Sequence, residues 1–409
     1  MERSLIFEGV KVAVKVADFS TSVVGPAAAR VFADYGATVV KVESQTHVDA
    51  LRVTAPFMGG KSGVNRSGFF NNYNAGKYSL SLNMQLPRAL EIAKRLVQWS
   101  DVVIETFRPG VMKKWGLHYE ELLKIKPDII MVSSTMLGQS GPYSVYKGFG
   151  QHGAALAGWG TTLAYPDDDA VAPFSAYTDY IGARYVAIAV IAALEYRRRT
   201  GKGQYIDNSQ VESSIDFLAT AVLDYQANKR LPQRQANRDP DAAPHGAYRC
   251  RGEDRWCVIA VSTDEEWRKF CGVIGHPVWT SDPKFTTLSA RKKHEDELDR
   301  LVEIWTVKHT PEEIVTVMQK AGIAAAVVAN AKELAEDPQL LHRKHYEVLE
   351  HSEIGPHSYE NFAFRLSKTP GAPRKAAPCL GEHNAQVCTE ILGLSDEEFV
   401  QLLTEGVFE

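Results

Sequence analysis

The chain has 409 residues, 44% hydrophobic and 23% charged, with 46 basic against 50 acidic side chains and a formal charge of -4. This ordinary globular composition, in a chain too long for one core, predicts two or more folded units and no long disorder. A near-neutral balance holds no polyphosphate, which argues against nucleic acid as a partner; five cysteines with no C-x-x-C pair fit neither a disulfide framework nor a zinc site, and point to a reducing cytoplasm.

Within residues 1–20, Glu8, Lys11, Lys15 and Asp18 interrupt the apolar stretch, so it reads as a strand-forming start and not as a secretory leader. Residues 10–17 are valine-rich and predict a strand. Pro26 suits the first turn of a helix that runs to Tyr35 and stops at Gly36, and residues 38–42 predict a second strand. The alternation recurs as a helix over 89–99, a strand over 102–105, a helix near 119–124 and a strand over 129–133. Repeated βαβ units imply a parallel sheet with helices on both faces, an α/β Rossmann-like core, although no G-x-G-x-x-G follows the first strand. The apolar segment 185–194 is about half of what a bilayer-spanning helix needs and ends at Arg197–Arg199, so it predicts a buried helix and no membrane span.

A strand over 204–209 and a helix over 211–225 complete a large domain of residues 1–227. Residues 228–244, with Pro232, Pro240 and Pro244, read as a linker. A small α+β domain follows over 245–335, with strands near 246–250 and 256–261 and helices over 265–273 and 311–320. Residues 336–409 return in extended, proline-punctuated form to complete the large domain, with a last helical pattern at 384–391.

The segment Ser175-Ala176-Tyr177-Thr178-Asp179-Tyr180-Ile181-Gly182-Ala183 puts a carboxylate just before an apolar helix of small residues. Helix N–H groups and the dipole should lower the pKa of Asp179 and keep it ionised as a nucleophile; a plain N-cap is the competing reading. Beyond it, Arg108 follows a strand end, where ligands of doubly wound sheets bind, and Lys77 offers a second cation for a phosphate. Gly138–Gly141 can bring backbone N–H groups to a ligand. His152 and His245 have no carboxylate partner in sequence and read as structural.

Several stretches resemble CoA-transferase family III, of the formyl-CoA and carnitine-CoA transferase type: Asp18-Phe19-Ser20 with Gly25-Pro26, residues 32–43, Asn74 with Lys77-Tyr78-Ser79-Leu80, residues 101–111, Trp115-Gly116-Leu117 and 138–143. Thr200-Gly201-Lys202-Gly203-Gln204-Tyr205-Ile206-Asp207, residues 244–248 and 380–383 continue the match in the family's order. The resemblance implies that Asp179, upstream of the Arg199-Thr200-Gly201-Lys202-Gly203-Gln204 turn, carries coenzyme A as a covalent thioester. It also implies CoA contacts at Val23, Tyr73, Lys77, Thr106, Arg108, Leu137 and Gly138, no metal, acyl-CoA and a small carboxylic acid as partners in organic acid metabolism, and an intertwined dimer. The succinyl-CoA:benzylsuccinate branch suggests succinyl-CoA as donor and an aryl-substituted dicarboxylic acid as acceptor.

The chain departs from the family pattern at Val23, where formyl-CoA transferases have glutamine, and at Ser44, where an arginine is frequent. Two alternatives follow. One is a supporting subunit of a hetero-oligomeric CoA-transferase. The other is an α-methylacyl-CoA racemase, against which Phe149 and Gly150 stand where a proton-relaying His-Asp pair is required.

Overall fold

The structure is a computed structural model and describes residues 13–171 and 173–408. The expected first strand therefore lies partly outside the described residues. The chain divides into two compact units: Met1–Gly160, Ala172–Leu231 and Leu341–Glu409 form the first, and Thr161–Val171 with Pro232–Leu340 the second.

The first unit is built on β1 (Lys15–Asp18), α1 (Val24–Asp34), β2 (Thr38–Glu43), α2 (Gly68–Asn74), β3 (Tyr78–Ser81), α3 (Pro87–Trp99), β4 (Val102–Glu105), α4 (Tyr119–Ile125) and β5 (Ile130–Thr135). It continues with α5 (Gly150–Leu156), α6 (Tyr177–Thr200), β6 (Tyr205–Ser209), α7 (Gln210–Ile215) and α8 (Ala219–Asn228). The six strands form one parallel sheet in the order β3-β2-β1-β4-β5-β6. This is the doubly wound Rossmann order, with its switch point between β1 and β4.

Successive residues of a strand face opposite sides, so the paired valines split between two cores. Val39 and Val102 pack with α1 and α6 on one face, while Val40 and Val103 pack with α3 and α4 on the other. Small residues let α1 lie close to its neighbours, and nearly all of it is buried. The helix α6 is longer than the apolar run that announced it. By length and composition it can cross a bilayer, yet Ala183, Val186, Ala187, Val190 and Ala193 are buried in the core beside α1. The single helix expected over 211–225 is instead α7, a 3-10 turn at Asp216–Leu218 and α8. At the break, the Asp216 carboxylate accepts a hydrogen bond from the Tyr185 hydroxyl.

The second unit carries an antiparallel sheet of β7 (His245–Arg249), β8 (Trp256–Ala260) and β9 (Ala324–Val327). The helices α9 (Asp264–Val273), α10 (Glu295–Thr306) and α11 (Pro311–Lys320) share a separate core with it around Trp267, Phe270 and Leu298. The return segment forms the hairpin β10 (Tyr346–His351) and β11 (Gly355–Glu360), then α12 (Asp396–Thr404). Two buried arginines tie it to the first unit: Arg30 donates to the Glu360 carbonyl, and Arg52 donates to the Pro378 carbonyl at 3.2 Å.

Candidate active site

Ligands of doubly wound sheets bind beyond the C-terminal strand ends at the switch point, and here the loops after β1 and β4 meet. Asp18, the last residue of β1, is fully buried and accepts from Lys77 Nζ at 2.8 Å, from the Ser20 N–H at 3.0 Å and from the Ser20 hydroxyl. Burial pushes its carboxyl up, but Lys77 and Lys41 more than offset this and hold it below the usual range. Lys41 pairs with Asp49 at 2.9 Å and donates to the Ser20 carbonyl at 2.8 Å, while Asp49 accepts the Ser22 N–H at 3.0 Å. Buried charges require such pairing, and the result is a loop fixed from both ends. It is clipped to the β4 loop by Thr106, whose hydroxyl accepts the Thr21 N–H at 3.0 Å and donates to the Thr21 carbonyl at 3.1 Å. The approach is close enough that a Cβ on Gly25 would sit 2.1 Å from the Ser20 side chain.

Asp179 is the third residue of α6, not its N-cap; that place belongs to Ala176, which makes no side-chain cap bond. Its side chain opens on a cavity of about 460 Å³ shared with Thr106, Arg108, Leu137, Lys147 and Gln210. Gln210, the first residue after β6, holds the carboxylate through its side-chain amide. The Thr178 hydroxyl lies within reach of the Gly150 carbonyl at 3.2 Å and of Gln210 Oε1 at 3.4 Å, which fixes the amide's orientation. Gly150 presses on the site from the other side: a Cβ there would meet the Ala176 Cα at 2.7 Å and Asp179 Oδ2 at 2.8 Å.

The expected low pKa is corrected by this packing. Burial pushes the Asp179 carboxyl up from 3.8 to about 7, and the Gln210 hydrogen bond only partly opposes it. Desolvation penalises the ionised form, and a neutral amide offsets less of that penalty than a cation in direct contact does.

Of the residues anticipated as CoA contacts, Thr106, Arg108 and Leu137 line the cavity with Asp179. Gly138 adjoins Leu137 with φ of +80°, facing the Asp207 carboxylate. Val23 is buried between Ser22 and Val24, which do line the cavity. Tyr73 stacks on Tyr180 with ring centroids 6.2 Å apart, behind the first turn of α6. Lys77 is sequestered with Asp18, the Pro26 carbonyl and Asn74, so its ammonium does not face the cavity. His152 accepts the Phe149 N–H at 3.2 Å through Nδ1. Sequence reasoning passed over Gln210 and Lys147, and it used Gly150 only as an argument against a racemase. Only Gln210 left a signal, as the residue just past a predicted parallel strand.

A second cavity, of about 400 Å³, lies beside Phe107 and is lined by Ser20, Thr21, Lys41, Ser44, Asn83 and Trp115. Thr21 borders both cavities.

The sequence matches CoA-transferase family III over residues 13–384. It is 30% identical over 394 residues to the succinyl-CoA–D-citramalate CoA-transferase of Chloroflexus aurantiacus, covering 96% of this chain and 97% of the relative. The beta subunit of that organism's succinyl-CoA–L-malate CoA-transferase is also 30% identical, over 96% of this chain and 97% of its own. Among solved structures, a CaiB/BaiF family protein from Brucella suis superposes with a TM-score of 0.85 at 28% identity, covering 92% of this chain and 98% of that one. With a Rossmann-ordered sheet, a cavity at its switch point and a match spanning nearly the whole sequence, the chain belongs to CoA-transferase family III and is a CoA-transferase.

Proposed function

We propose that the protein moves coenzyme A from succinyl-CoA to a second dicarboxylic acid, with Asp179 as covalent carrier. An ionised Asp179 oxygen attacks the thioester carbonyl; the C–S bond breaks, giving a mixed anhydride and CoA thiolate. The thiolate attacks the aspartyl carbonyl, expels the donor carboxylate and leaves an aspartyl-CoA thioester. The acceptor carboxylate attacks that thioester, and the released thiolate then attacks the acceptor's acyl carbonyl, restoring Asp179. A thioester and a carboxylate stand at both ends, so no external energy source is required.

The observation that carries this reading is a desolvated carboxyl with pKa about 7, held by one amide and open to a cavity that also bears Arg108 and Lys147. Burial makes the ionised form more basic and hence a stronger nucleophile, while a good fraction stays ionised near neutrality. Gln210 orients the carboxylate and remains in place to stabilise an oxyanion on the aspartyl carbonyl. Arg108 and Lys147 supply positive charge for the CoA phosphates and for the distal carboxylate of a dicarboxylic acyl group. Tyr146 and Phe149, exposed on the cavity wall, support an aryl-substituted acceptor. In the companion cavity, Ser44 leaves the place of the family's frequent arginine to an uncharged side chain.

We also place the protein in a reducing cytoplasm, supported by its five free cysteines, and pair two copies in an interlocked dimer, supported by the exposed apolar side chains of α6 and α8. The test of the nucleophile is Asp179→Ala: transfer should fall at least about 10³-fold while the circular dichroism spectrum is kept. Wild-type protein incubated with succinyl-CoA and trapped with hydroxylamine or borohydride should carry its label on the peptide containing Asp179. Native-rate exchange by the variant overturns the mechanism. A supporting-subunit role is the second reading, favoured by the altered residues Val23 and Ser44 and by a relative that is itself a subunit. Turnover by the purified chain alone removes it.

A further inference from the structure

We propose that Asp207 is a positioning residue for CoA transfer, fixing the loop that follows β5 and, through Gln139, the Arg108 loop that follows β4. This rests on the Asp179 cavity being the site of transfer.

Asp207 lies on β6 in register with Ser133 on β5, which is in register with Glu105 on β4. Paired residues of parallel strands point to the same face, so three polar side chains form one row across the C-terminal edge of the sheet. Each end of the row holds a loop. The Glu105 carboxylate accepts the Phe107 N–H at 2.7 Å. The two oxygens of Asp207 lie 3.0 and 3.1 Å from a single donor, the Gln139 N–H. Just before it, Gly138 has φ of +80°, a conformation that suits glycine, and its ideal Cβ would lie 3.5 Å from Asp207 Oδ1. The Gln139 amide closes the ring by donating to the Phe107 carbonyl at 3.4 Å.

The tied segments are those that bound the cavity. Thr106, Arg108 and Pro109 border it from the β4 loop, and Met136 and Leu137 from the β5 loop. The near end of the β5 loop has its own anchor, since the Met136 carbonyl accepts the Val211 N–H at 3.0 Å. Loss of Asp207 therefore frees only the far end, Gly138–Gln139, and leaves the strand pairing intact. A carboxylate facing one N–H with both oxygens is also tolerant of Asn, which keeps one acceptor in place.

Exchange of radiolabelled succinate into succinyl-CoA and calorimetric binding of free CoA are measured for the wild type and for Asp207→Ala, Asp207→Asn and Gln139→Ala. Asp207→Ala should lower the exchange kcat about ten- to a hundredfold, as loop misplacement does, and weaken CoA binding; Asp207→Asn should recover most of both. Gln139→Ala, which leaves the backbone N–H on Asp207, should raise KM for succinyl-CoA and weaken CoA binding severalfold, with kcat little changed. Wild-type kinetics and CoA binding in Asp207→Ala, or equal damage in the Asn variant, overturns the proposal. Should Asp207→Ala fail to fold, unchanged KM and CoA binding in Gln139→Ala does so. Asp179→Ala assayed alongside separates the two readings. Survival of its exchange removes the nucleophile, and an inability of the wild type to use succinyl-CoA removes the donor assignment, while CoA binding still reports on the clamp.

Discussion

In the proposed mechanism a carboxyl that acts as a nucleophile while surrounded by protein sits at a compromise between ionisation and reactivity, and the raised pKa of Asp179 puts that compromise near neutrality. Because its pKa is raised from 3.8 to about 7, the folded state holds a proton that the unfolded chain has released between those values. The native-state stability gained from keeping the group neutral is complete below pH 3.8, is lost as pH rises through about 7, and changes no further above it. Asp179→Asn should therefore raise the Tm at pH 8 and leave it unchanged near pH 3.5. We expect a gain of about 1–2 kcal/mol, below the full value of the shift because the side chain faces an open cavity. Activity runs the other way: kcat/KM should fall about tenfold per unit below pH 7, as the nucleophile is protonated. Glu105 is the competing titrant, since burial pushes it to about 7 against hydrogen bonds from Ser133 and the Phe107 N–H. A Glu105→Gln enzyme should keep the inflection; its disappearance there reassigns the titration. At this scale the sequence neighbourhood of Asp179 marks it as a candidate, but the direction of its pKa shift is opposite to the one that neighbourhood suggests. The helix terminus is visible in sequence, whereas the packing of Gly150 and Ala176 around the carboxyl comes from segments joined only in the fold.

Elements whose pattern came from the sheet were read closely. The strand at Val102–Glu105 and the helix at Pro311–Lys320 fall where periodicity put them. Hydrophobic alternation does not reveal β3, whose Ser79 and Ser81 are buried because the return segment satisfies polar groups there: the Gly381 N–H donates to the Ser79 hydroxyl, and the Asn384 side-chain oxygen accepts the Ser81 N–H. Nor does it show why α5 begins with glycine. Gly150 allows α5 to touch the first turn of α6, and the contact is with the Asp179 side chain itself. Gly150→Ala should consequently act on chemistry more than on the fold. Its methyl must displace Asp179 Oδ2 or the Ala176 backbone, so kcat should fall about tenfold or more with KM within a few-fold. The contrast is Gly25→Ala, where the clash is with the buried Ser20 loop and the damage should appear as lost stability, on the order of 2–4 kcal/mol by chemical denaturation. Equal kcat in Gly150→Ala and wild type means that α5 does not set the carboxyl's position.

Across the whole molecule, the return of the chain after residue 340 to the first unit could be anticipated in outline, but not the means by which it is held. Arg52 pairs with Glu43 at 2.8 Å, donates to Pro378 and lies over the Phe70 ring at 3.6 Å, and the three partners come from separate parts of the sequence. A buried ion pair of this kind is visible only once the sheet has brought its members together. The surface poses the reverse problem. The helix α8 buries none of its residues, and Val222, Leu223 and Tyr225 are exposed on it, as are Ile188 and Ile191 on α6. A helix without a buried face gains nothing from tertiary packing, and isolated helices of this length are marginal in water. Its apolar side chains therefore need a cover, and the proposed second copy provides one. Light scattering should give twice the chain mass of 45.3 kDa at micromolar concentration. Leu223→Glu together with Ile191→Glu should shift the protein towards monomer, because burying two unpaired carboxylates at an interface is strongly unfavourable. A monomeric wild type with full transferase activity would show instead that α8 holds its place without a partner, and that the site around Asp179 is complete in one chain.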